Sequence, residues 1–238
     1  VRLSSPVFRV LGFIAGALLV AVFILLGNWQ LGRAQDKEAL RLRIETLRQE
    51  PPVLIAAAPA DPAFMDWRPV AARGSWVADR TILVDNKMHR GKPGFHVVTP
   101  LKLGGGMHVL VYRGWVAAPR LRSELPQFTT PAGIVEVTGV ARAPRGRFVE
   151  LSSATREGNI WENLTVERFR AWAGMEVQPV VIRQTSPAED GLARDWEPPD
   201  VNATKHRFIA FQWYAFAVML PAAVLILRLR RRKKEEES

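Results

Sequence analysis

Of the side chains able to ligate a metal or shuttle a proton near neutral pH, the sequence offers four histidines and no cysteine. The missing cysteines exclude disulfides, thiolate metal sites, C-x-x-C-H haem attachment and thiol-based copper delivery. His89, His96 and His108 fall in or beside expected turns and strands, and their spacing suggests no shared metal, so each reads as an ordinary residue. His206 differs by position, because it stands two residues before an uncharged block that begins at Phe208. A neutral imidazole at such a threshold can face headgroups or a neighbouring helix, and it can ligate a haem iron. On composition alone a polar interfacial residue is the favoured reading. If the block is helical, Ala210, Trp213 and Ala217 share a face with His206, which supplies one ligand, one flat wall and small residues that leave room for a planar group or a partner helix. Trp29 closes an earlier apolar block, and for Trp29, Trp213 and Tyr214 the competing reading is an aromatic belt at a membrane interface. Arg33 and Lys37, one turn apart, can pair with carboxylates such as propionates or with lipid phosphates, against the plainer reading of solvated charge. Arg113 and Trp115 point the same way on an expected strand and can stack as a cation–π pair, a role in maintaining the fold.

The elements that must carry these residues are written in the hydropathy. Residues 10–27 and 208–227 are uncharged, and at 1.5 Å per residue they reach about 27 and 30 Å as helices, the thickness of a bilayer core. A cleaved signal peptide is the rival for the first block, but its apolar core is long and Asn28, Trp29 and Gln30 follow where small residues are needed. Two spans place both termini on one side of a membrane. Arg228, Arg230, Arg231, Arg232, Lys233 and Lys234 directly after the second block make that side cytoplasmic, although the basic residues after the first block vote the other way. The net charge of +10 is thereby read as membrane-directed, and no nucleic-acid-binding signature accompanies it.

Between the blocks lie seven short β-branched runs separated by Gly, Pro and Asp turns, with one helix expected over Val166 to Ala173, capped by Thr165 and stopped at Gly174. The expected fold class is membrane α+β: a two-helix transmembrane hairpin flanking a mainly antiparallel, barrel- or sandwich-like extracytoplasmic domain. The expected organisation is a cytoplasmic N-terminus (1–9), transmembrane helix (10–27), extracytoplasmic domain (28–207), second transmembrane helix (208–227) and basic cytoplasmic tail (228–238). Within the domain a juxtamembrane helix (31–50), a β-rich core (65–185) and a linker (186–205) are expected. No G-x-G-x-x-G, P-loop, H-E-x-x-H or G-x-S-x-G pattern is present, so no enzyme is expected.

Four segments resemble the surfeit-locus-one (Shy-one) family of cytochrome c oxidase assembly factors: GNWQLGRAQDK at 27–37, KPGFHVVTPL at 92–101, VLVYRGWVAAPR at 109–120 and KHRFIAFQWYAFA at 205–217. Two departures stand out, Tyr112 where the family usually has Asn, and Ile209 in place of a Tyr three residues after the histidine. The resemblance implies a non-enzymatic factor that receives haem a and passes it toward oxidase subunit I, with haem a synthase as a candidate partner and membrane lipids as surroundings. His206 matches the family histidine associated with haem binding and so becomes the implied iron ligand, with Trp213, Trp29 and Arg33 as weaker supporting positions. A carrier must also release its cargo, which suits one protein ligand better than two strong ones. The alternative is a cofactor-free scaffold that stabilises an oxidase intermediate by contact alone. A bacterial cytoplasmic membrane with the domain in the periplasm is expected over a mitochondrial inner membrane, since little sequence precedes the first block to serve as a transit peptide.

Overall fold

The computed structural model describes residues 6–121, 124–143 and 156–236, so residues 1–5 of the expected cytoplasmic N-terminus and 237–238 of the basic tail lie outside the described residues. Among the described residues the α-helices are α1 (Pro6–Arg48), α2 (Pro62–Met65), α3 (Val166–Ala173) and α4 (Thr204–Glu236). The chain divides into two compact units, Val1–Arg43 with Pro199–Ser238, and Ile44–Pro198.

The first unit pairs the greater part of α1 with α4. Their apolar stretches have mean hydropathies of 2.8 and 1.9, and both helices are long and apolar enough to cross a membrane. A helix is the one local structure that satisfies every backbone donor of such a segment from within. α1 continues without a break past its apolar part, helped by an Arg41–Glu38 pair one turn apart, and ends ahead of Pro51 and Pro52. Pro221 lies inside α4 without ending it. Outside the seam between the helices, large apolar side chains such as Leu11, Phe13, Leu25, Phe211 and Val218 are exposed, as suits a lipid-facing surface.

The second unit is a mixed β-barrel. Its strands are β1 (Val53–Leu54), β2 (Pro69–Trp76), β3 (Ile82–His89), β4 (Lys92–Lys102), β5 (His108–Ala117), β6 (Ile134–Arg142), β7 (Arg156–Glu157), β8 (Ile160–Trp161) and β9 (Val177–Gln184). Five of them close a ring in the order β2–β6–β9–β5–β4 and back to β2. β2, β4 and β5 run antiparallel in succession, and β6 returns to lie beside β2, a Greek key that β9 then completes. A ring of five strands cannot alternate direction throughout, so one neighbouring pair must be parallel; that pair is β5 with β9. Of the two expected architectures, barrel and sandwich, the chain adopts the barrel, with β3, β8 and β7 extending the sheet outward from β4.

Closure brings backbones together where side chains would obstruct. A Cβ on Gly74, at the β2–β4 contact, would lie 2.1 Å from the Lys102 carbonyl oxygen. Val70, Ala72, Leu101, Val109, Val111, Val137, Val180 and Ile182 fill the barrel with alternate residues of each strand. The opposite face of β3, β4 and β5 is covered by α3, which begins at the Thr165 cap (Arg168 N–H to Oγ1, 3.1 Å) and stops at Gly174 (φ 64°). Phe169 and Trp161 are fully buried there. Gln178, fully buried on β9, fastens the 56–60 segment by accepting from the Ala60 N–H and donating to the carbonyls of Ala56 and Ala58, each at 2.8 Å.

One expectation is overturned by a single extra residue. Arg113 and Trp115 do not stack on each other, because β5 carries a bulge: Val98 pairs with Tyr112 and Val97 with Gly114, which leaves Arg113 without a partner on β4. The bulge breaks the two-residue alternation between them. Arg113 turns to Trp76 (4.9 Å) and to the buried carboxylate of Asp190 (2.9 Å), whereas Trp115 packs on the His89 ring at 4.7 Å.

Candidate functional site: the seam between the two long helices

The seam is built from positions spaced three and four apart, the spacing that keeps one stripe of a helix facing its partner. On α1 these are Phe23, Gly27, Gln30, Ala34 and Lys37; on α4 they are His206, Ala210, Trp213 with Tyr214, and Ala217. Contacts descend along α4 as they ascend along α1, so the helices run antiparallel.

At one end Lys37 Nζ donates at 2.6 Å to both the carboxylate and the carbonyl oxygen of Asp200, in the lead-in to α4. This holds the Asp200 carboxyl below its ordinary range, chiefly through the Lys37 hydrogen bond. The carboxylate is well exposed, so the pair sets register more than stability. α4 then starts at Thr204, whose N–H bonds the Asn202 side chain at 2.9 Å. Two residues later the half-buried His206 places Nδ1 2.8 Å from the Gln30 side-chain oxygen. Its other nitrogen, Nε2, has no protein partner among the described residues.

Further along, Tyr214 lies over Gly27, where a Cβ would come 2.6 Å from the ring, and its hydroxyl donates to Asn28 Oδ1 at 2.7 Å. Trp213 stacks on Phe23 at 5.7 Å and 28° between planes, and Phe216 completes an aromatic group with both. Ala210, between the histidine and these rings, and Ala217, just beyond them along α4, are both buried, and larger side chains there would hold the helices apart.

His206 and Trp213 are therefore on the seam. Trp29 and Arg33 share a face of α1 that flanks it, since a helix turns about 100° per residue; both are exposed. Lys37, on the seam, is engaged by Asp200, and the exposed Arg33 supplies a cation on that flank. Gln30 was not singled out by residue type, yet its spacing of seven from both Phe23 and Lys37 is the signal that identifies it as a seam residue.

The remaining histidines occupy the barrel unit. His108 Nδ1 lies 3.1 Å from the Glu176 carbonyl, and His89 pairs with Asp195 at 3.3 Å. His96 sits between Tyr112 and Trp196, and burial, reinforced by Lys87, Arg183 and His89, pushes its pKa down to about 4. Burial pushes the Tyr112 phenol up to about 12, so neither group of this pair titrates near neutrality. No group of three or more metal-ligating side chains exists among the described residues. An open groove of about 660 Å³ is lined by Leu83, Phe128, Asn159 and Asp190, but its carboxylate is already held by Arg113 and Arg194.

Comparison with known proteins gives one consistent result. The chain is similar to a SURF1-like protein of Monosiga brevicollis, 26% identical over 85% of this chain and 82% of the relative. It is also similar to an uncharacterised SURF1-like protein of Mycobacterium bovis, 24% identical over 98% and 89%. Surfeit locus protein 1 of mouse is 28% identical over 69% of this chain and 58% of its own length. With the SURF1 family model matching residues 17–218, from within α1 to within α4, the chain belongs to the SURF1 family of cytochrome oxidase assembly factors.

Proposed function

We propose that this protein is a cytoplasmic-membrane assembly factor that holds haem a between its synthesis and its insertion into oxidase subunit I. The observation that carries the reading is His206. It lies at the mouth of the helix seam, half-buried, with one ring nitrogen fixed by Gln30 and the other without a partner among the described residues. A lone imidazole nitrogen of this kind fits an iron as a single axial donor. Trp213 supplies an aromatic wall on the same helix, and Trp29 and Arg33 offer an apolar plate and a cation for a propionate on the flank of α1. Membership of a family of assembly factors, some of which bind haem, supports a carrier over an enzyme. As cargo, the haem contributes its redox chemistry later, in the oxidase. This chain's residues need only bind it, orient it and keep water from one face.

The two long apolar helices support a bilayer location, and the basic run from Arg228 to Lys234 supports a cytoplasmic side for the end of α4, with the barrel in the periplasm. There the barrel is available to the oxidase subunit and to haem a synthase. The test is made in cells lacking this factor. Restoring the wild-type chain returns haem a to subunit I, and a His206→Ala chain inserted at the same level does not. Equal restoration by the variant favours the cofactor-free scaffold and removes the proposal.

A further inference from the structure

We infer that Gln30 is the positioning residue for His206: its amide oxygen accepts a hydrogen bond from Nδ1–H, which leaves the Nε2 lone pair as the metal-facing donor. This rests on the haem-carrier reading for its purpose, but not for its geometry. A side-chain oxygen has no proton to give, so at 2.8 Å the proton of a neutral ring must be on Nδ1. The opposite tautomer would put a hydrogen on Nε2 and block it. The seam prevents Gln30 from drifting away, since Tyr214 lies over Gly27 one turn along α1 and bonds Asn28, while Lys37 grips Asp200 two turns the other way. Nearby, Lys37 pairs with Asp200 and Arg207 with Glu38, and the group hydrogen-bonded to the ring is the neutral amide of Gln30.

The neutrality of that partner matters for a carrier. A carboxylate hydrogen-bonded to Nδ1–H draws the proton away and raises the basicity of the other nitrogen, which strengthens the bond to metal. An amide orients the ring without that reinforcement. Gln30 therefore sets His206 to bind in the correct tautomer and to let go.

The experiment uses the full chain in lipid nanodiscs, labelled with ¹⁵N-histidine, with the His206→Ala spectrum assigning the signal. In the haem-free protein the wild-type ring carries its proton on Nδ1; Gln30→Leu moves it to Nε2, and Gln30→Glu keeps it on Nδ1. With added hemin, Gln30→Leu binds roughly tenfold or more weakly than wild type. Gln30→Glu binds more tightly and with a lower iron midpoint potential. A wild-type ring protonated on Nε2, or a ring unchanged by Gln30→Leu, overturns the inference. If Gln30→Leu does not fold, Gln30→Glu decides: affinity and potential equal to wild type overturn it. A ring that behaves as described in a protein that does not take up hemin upholds the tautomer assignment and defeats the carrier reading instead.

Discussion

Replacing Arg113 by Met isolates what the arginine at the β5 bulge contributes. The Met side chain preserves most of the volume beside Trp76 but removes three hydrogen bonds: to Thr130 Oγ1 (2.7 Å), to the Thr129 carbonyl (2.6 Å) and to Asp190 Oδ2 (2.9 Å). Removing one partner of a buried ion pair costs about 3–5 kcal/mol, largely because the other charge is stranded. Here Asp190 retains Arg194 at 2.5 Å, so the loss falls at the lower end, about 3 kcal/mol. Arg113→Lys keeps the charge but not the planar fork that reaches Asp190 and the 129–130 loop together, and gives an intermediate loss. Equilibrium urea unfolding of the full chain in mild detergent, followed by tryptophan fluorescence, measures both, and a double-mutant cycle with Asp190→Asn isolates the pair. A loss within about 0.5 kcal/mol for Arg113→Met, the range of an ordinary surface change, refutes a structural role for this arginine.

The half-buried, neutral His96 makes the barrel acid-sensitive. Its ring takes a proton near pH 4 when folded but near 6.5 when unfolded, so the unfolded state binds more protons between these values and stability falls as pH drops through that window. For a half-buried ring the loss from about pH 7.5 to about pH 5 is on the order of 1–2 kcal/mol. Urea midpoints of wild type and His96→Gln should converge as the pH falls, and parallel pH profiles would contradict this. Gln178→Leu leaves one amide hydrogen and two carbonyls of the 56–60 segment without partners and is expected to cost about 3 kcal/mol; faster proteolysis of that segment is the second readout. Gly27→Leu pushes Tyr214 off α1, and since the chain has no native cysteine, bis-maleimide cross-linking of Phe23→Cys with Trp213→Cys reports the separation directly. Unchanged cross-linking would show that the helices do not need close approach there.

Much of the fold is legible because its signals are local. The two uncharged blocks, the Thr165 cap, the Gly174 stop and the period-two runs each act over a few residues and need no knowledge of what packs against them. The barrel rather than the sandwich, and the parallel β5–β9 pair, depend on which distant edges meet and have no local signature. The Arg113 bulge is invisible for the same reason, since the extra residue is extra only relative to Val97 and Val98 on β4. At the helix seam, residue type singled out His206 and Trp213 on α4, whereas Gln30 and Phe23 on α1 carry only their spacing of seven, a signal that gains its meaning once a second helix is laid against the first. Trp29 and Arg33, which the family resemblance implies as supporting positions, lie on the flank of that seam.

The most direct measurement is the optical spectrum of this protein purified from membranes of cells that make haem a, comparing wild type with His206→Ala and using Arg113→Met as a control altered only in the barrel. The account predicts a bound haem a spectrum in wild type and control that falls sharply in His206→Ala. Wild-type protein free of haem under haem-replete conditions, or a His206→Ala spectrum equal to wild type, would contradict it.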